Sequence, residues 1–114
     1  MFRTGGWNGV PAGSQVTVTL DPGPTGISGT YTVARGAGAP VLQAALGSGN
    51  FPLRFTIGAG EHHKVNLDAS STGPDTIVTF TADITTPAGA SDTFQVRETV
   101  TDSDPLTIKL FVNG

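Results

Sequence analysis

Residues 60–68 read GEHHKVNLD and hold both histidines of the chain. Two imidazoles beside Glu61, with Asp68 further along, are residue types that ligate a transition metal or carry protons. Spacing decides whether they can act together. In a helical HExxH motif both imidazoles fall on one face, whereas neighbours on a strand point to opposite faces. The run HHKVNL alternates as a strand does, with His63, Val65 and Leu67 on one side and His62 and Lys64 on the other. The pair is therefore expected not to share a metal: His63 belongs to the core face at a rim, and His62 points outward.

The stretch TVTDSDP brings Asp102 and Asp104 to either side of Ser103. Asp-x-Asp in a loop offers oxygens to calcium, so these two residues are the metal candidates and calcium is the one cofactor open to the chain. A calcium site needs about six to eight oxygens, and no EF-hand spacing is present. Asp75 or Asp92 would have to approach from elsewhere. Turn chemistry accounts for the same residues, because Asp side chains bond nearby amides and Asp-Pro starts turns. A structural turn is the expected reading.

Glu98 falls on the apolar side of the alternation in DTFQVRETV. A buried carboxylate with a raised pKa would be a catalytic candidate. A bulge, a sheet-edge position or a basic neighbour would explain it without catalysis. No second carboxylate stands at a motif-defined distance to complete a glycosidase pair. No serine lies in a G-x-S-x-G elbow, neither histidine lies in a triad motif, and the glycine stretches lack a Walker lysine. No catalytic residue is assigned, and the chain is expected not to be an enzyme.

The elements that would position these residues read almost entirely as β. SQVTVTL, GTYTVA, FPLRFTI, HHKVNL, TIVTFTADI, DTFQVRETV and PLTIKLFV alternate apolar and polar residues, and VLQAAL (41–46) is a less regular run where a short helix competes. Pro- and Gly-rich turns separate them, including DPGPTGISG (21–29), STGPD (71–75) and TPAGASD (86–92). About eight strands around one core predict a two-sheet antiparallel β-sandwich, jelly-roll or immunoglobulin-like. Phe51, Phe55, Phe80, Phe94 and Ile108 are its expected core. Pro52 should stand at an edge or a strand start.

A length of 114 residues holds one domain, and the absence of cysteine excludes disulfides and thiolate chemistry. Six basic residues against nine acidic ones give a net charge of −3, and the cations are scattered singly, which argues against nucleic acid as a partner. No stretch approaches the ~18 apolar residues of a membrane span, and the opening residues lack a signal-peptide pattern.

What remains is surface. The sequence divides into an N-terminal arm, 1–13, and a sandwich domain, 14–114. Phe2 and Trp7 are large apolar anchors on the Gly-rich arm and are the candidate partner-binding residues. The arm could dock on a neighbouring chain or fold back on its own sheet edge. The reading favoured is a non-enzymatic structural or assembly module, such as a virion (phage capsid) decoration or stabilising protein, self-associating as a homo-oligomer and located on a virion or extracellular surface. Two alternatives stand beside it: a carbohydrate-binding, lectin-like module with Trp7 and Tyr31 as glycan-binding residues, and a small hydrolase using the histidines.

Overall fold

Period-two alternation becomes nine strands in the computed structural model, which describes residues 1–21, 26–71 and 73–114. They are β1 (Phe2–Trp7), β2 (Gln15–Asp21), β3 (Gly26–Arg35), β4 (Val41–Ala45), β5 (Leu53–Thr56), β6 (Glu61–Ser70), β7 (Thr76–Thr85), β8 (Ser91–Val100) and β9 (Leu106–Val112). The predicted sandwich is present: one sheet runs β1-β9-β6-β3-β4 and the other β5-β2-β7-β8. Every pairing is antiparallel except β1 with β9, which is parallel. The stretch VLQAAL forms β4 and not a helix. Part of the turn expected at 21–29 is strand, since β3 begins at Gly26; residues 22–25 of that turn, and Thr72 of STGPD, lie outside the described residues.

Alternation explains which side chains meet. On β7, Val78, Phe80, Ala82 and Ile84 are buried; on β9, Leu106, Ile108, Leu110 and Val112 are. These rows interdigitate with Val16 and Val18 of β2 and with Val65 and Leu67 of β6 in a single core. Phe80 is fully buried and meets Phe94 edge-on at 6.2 Å between ring centres. Phe51 and Phe94, expected in the same core, pack against it while only partly buried. Pro52 directly precedes β5, the edge strand of its sheet, where its missing amide donor costs no ladder bond.

The two sheets are offset. β8 meets β1, and Phe55 of β5 stacks on Tyr31 of β3, so the four-stranded sheet covers the other from β1 to β3 and leaves β4 projecting beyond it. This is why Val33 is buried while Val41, its partner across the ladder, is 55% exposed.

The segment read as an arm, 1–13, contains a strand of the sandwich. β1 runs along β9 in register, from Phe2 opposite Thr107 to Trp7 opposite Val112. Two glycines make this possible. A Cβ on Gly6, which sits at φ 135°, would fall 1.8 Å from the Phe111 carbonyl oxygen, and one on Gly5 would fall 2.4 Å from the Phe94 ring. No residue from 1 to 13 is fully buried; the first buried residue is Ser14, whose hydroxyl donates to the Pro11 carbonyl at 2.7 Å.

Candidate functional site

Strand geometry separates the two histidines as the alternation requires. His62 is exposed and its Nδ1–H donates to the Asn113 carbonyl, while His63 is 3% exposed between the sheets. His63 is also fully bonded. Its Nε2 lies 3.0 Å from Glu61 Oε1, and its Nδ1 lies 2.7 Å from the Tyr31 hydroxyl. A carboxylate can only accept, so the proton sits on Nε2, and Nδ1 accepts from Tyr31 in the neutral ring. The ring of Phe55 stacks on both His63 and Tyr31, at 5.2 and 4.6 Å between centres.

The register brings these partners together. Val33 stands opposite His63 and Tyr31 opposite Val65, which places Tyr31 diagonal to His63 on the inner face, within reach of an aromatic side chain. Arg35 stands opposite Glu61, and its guanidinium lies 3.2 Å from Glu61 Oε2. The hydrogen bond from His63, then that from the Gly58 amide at 2.7 Å, then the Arg35 charge hold the Glu61 carboxyl below the usual range. Burial first, and then the Glu61 charge, push the Tyr31 hydroxyl upward against the opposing pull of Arg35, so Tyr31 stays protonated and a donor.

The row Arg35–Glu61–His63–Tyr31 has the bonding order of a relay, but it ends on an enclosed phenol. Tyr31 is 8% exposed and its hydroxyl is spent on His63. A glycan cannot reach Tyr31 in this structure, because the ring is walled by Phe55 and the core. The arrangement fastens β3, β5 and β6 together.

Asp102 and Asp104 do not converge on a common point with other carboxylates: among the described residues no group of three or more His, Asp or Glu side chains is placed to hold a metal. Asp104 instead takes the Met1 ammonium at 3.1 Å, and its amide donates to Thr101 Oγ1 at 2.9 Å. Asp92 bonds Trp7, away from both.

Glu98 lies on the inner side of β8 at the sheet edge, where Arg3 reaches it at 2.6 Å. It belongs to a row of three contacts between β1 and β8. Arg3 meets Glu98, Gly5 leaves room for the Phe94 ring, and the Trp7 indole N–H donates to Asp92 Oδ2 at 2.8 Å. That bond, with a second from the Thr93 amide, holds the Asp92 carboxyl below its ordinary range. Trp7 lines two surface hollows. One of about 200 Å³ lies toward Val10, Ile84 and Asp92, and one of about 340 Å³ lies toward Gly6 and Phe111. Phe2 points to solvent, 55% exposed, with the Lys109 ammonium 5.3 Å from its ring centre.

Sequence reasoning missed Tyr31 as the partner of His63, Arg35 as the partner of Glu61, and the strand β1. Glu61 was within reach, since it stands two residues before His63 and so shares its face. Among the described residues no helix is long and apolar enough to cross a membrane. Comparison with protein-family models, curated proteins and solved structures gives no match for this chain.

Proposed function

We propose that the chain is a non-enzymatic structural module of a protein assembly, of the kind that decorates or stabilises a virus particle. The observation that supports this reading is the edge strand β4. Of the four edge strands, β1 carries Arg3, β5 carries Arg54 and β8 carries Asp92, Arg97 and Glu98, whereas β4 reads VLQAA without a charge. Val41 and Leu42 stand 55% and 57% exposed on it. Sheet edges in monomers are commonly guarded by charge, proline or bulges, and an exposed apolar edge is suited to burial against a partner. A bulge at Gln43, whose amide donates to the Val41 carbonyl at 3.1 Å, discourages a continuous backbone ladder. The expected contact is therefore burial of the Val41 and Leu42 side chains. Isolated from its native host, the chain should sediment with particles, and Leu42→Asp should shift it to the low-mass fraction by weakening association at least about tenfold. Recovery of both proteins in the low-mass fraction would count against the reading.

A carbohydrate-binding role is the second reading, supported by Trp7. Its indole is held by Asp92 and lines two surface hollows, and a fixed ring of this sort offers a stacking platform to a sugar. Glycan-array signal lost in Trp7→Ala, with the fold retained, would favour this reading over the first.

A further inference from the structure

We infer that β1 is an exchangeable strand, and that the groove it occupies between β8 and β9 accepts the same segment, Phe2–Trp7, from a second copy of the chain. The inference deepens the assembly reading and rests on it, naming a second copy as the partner and a different surface from β4. Two sets of observations carry it.

The first is the weak integration of β1 into the core. Every side chain of the strand is exposed or half-buried, and none belongs to the fully buried set, which begins at Ser14. The segment is held by a parallel ladder along one edge, by side-chain contacts at the surface, and by one partly buried ring, Trp7, packed against the core. Strands with few buried contacts are the parts of a fold that open at least cost.

The second is how closely the groove fits this one segment. Glu98 supplies a carboxylate for Arg3, and Asp92 supplies an acceptor for the Trp7 indole. The Phe111 carbonyl admits no Cβ at position 6, and a Cβ at position 5 would displace the Phe94 ring, so a pair of glycines fits there best. Charge, ring and glycine pattern together specify FRTGGW, and every copy of the chain carries that segment. The edge of β9 would otherwise present an unpaired ladder. Exchange of an identical element between protomers conserves all of these contacts while joining two chains.

The link between β1 and β2, residues 8–14, sets which copy is served. β1 lies over β8, and β2 lies two strands away in the other sheet. With sheets about 10 Å apart and strands about 4.8 Å apart, the link must span roughly 14 Å. Deleting residues 8–13 leaves two peptide steps between Trp7 and Gln15, about 7 Å at full extension, so β1 can no longer reach its own groove.

That deletion in the otherwise full chain is the test. Sedimentation should show the mass doubled, with emission of Trp7, the single tryptophan, matching the parent because it again meets Asp92. Adding Gly5→Val, which collides with Phe94, should return the deletion protein to a monomer with shifted emission. A monomer at all concentrations before that substitution, or a dimer indifferent to it, overturns the inference. Should the deletion protein fail to fold, the parent chain decides. Arg3→Cys and Glu98→Cys chains, mixed at high concentration and warmed, should give a mixed covalent dimer with a short bis-maleimide, and its absence overturns the inference. Leu42→Asp serves as the control: if exchange survives it while particle association is lost, the β1 inference stands; if exchange fails while particles still take up the parent, the assembly reading stands without it.

Discussion

Along the β1–β8 edge the sheets meet through Arg3–Glu98 and Trp7–Asp92, with water reaching every one of these side chains, whereas at the β5 edge Tyr31, His63 and Phe55 stack inside the protein. The polar groups differ in what they would lose on opening. Arg3 and Glu98 would exchange one another for water at little net cost, since exposed pairs contribute about 0–1 kcal/mol. His63 and Tyr31 have no water to fall back on, and a buried polar group deprived of its partner costs about 1–3 kcal/mol. One edge is therefore built to be permanent and the other to be reversible. Placing the removable strand on the wet edge and the aromatic stack on the dry one lets β1 leave without disturbing His63.

The largest effect is expected at the dry edge. Phe55→Ala removes the ring that faces both Tyr31 and His63, and it should lower unfolding free energy by about 3–4 kcal/mol in denaturant titration, as large-to-small core changes do. A loss under about 1 kcal/mol would mean that this edge is no firmer than the other.

Acid should test the same edge more gently. Glu61 is held ionised by His63, Gly58 and Arg35, so its folded pKa lies below the unfolded value. Its contribution to stability is present above the unfolded value, about pH 4.3, and is lost as the pH falls through the lower folded value. Glu61→Gln should thus be less stable than the parent at pH 7, and the gap should close as the pH falls below about 4. A gap that stays constant down to pH 3 would show that the carboxylate charge is not what holds His63.

The smallest effect belongs to the wet edge. Arg3→Ala should change stability by about 0.5 kcal/mol, and raised salt should erase part of that difference. A salt-independent loss above about 2 kcal/mol would put Arg3 in the same class as His63 and remove the contrast between the edges.

Much of this molecule is legible one strand at a time. Side chains alternate along a strand because the backbone does, so VTF and IKL placed Phe80 and Ile108 inward without knowledge of any neighbour, and Val65 and Leu67 carried His63 with them. The same alternation parted the two histidines. The departure of Glu98 from its apolar row was visible too, although which basic residue met it was not. By contrast β1 has no apolar alternation to read: its inner positions are Arg3, Gly5 and Trp7, and they make sense only against Glu98, Phe94 and Asp92.

The sequence by itself determined the β class, the core rows, the inward turn of His63 and the want of a nucleophile motif, because each follows from chain-local periodicity and residue type. Tertiary structure alone decided that Tyr31 and Arg35 stand across from β6, that residues 2–7 form a parallel strand on β9, and that β4 overhangs the opposite sheet with Val41 and Leu42 exposed. Those are facts of register and sheet order, joining residues tens of positions apart, and the energies that select them come from burial shared between strands rather than from any one strand's pattern.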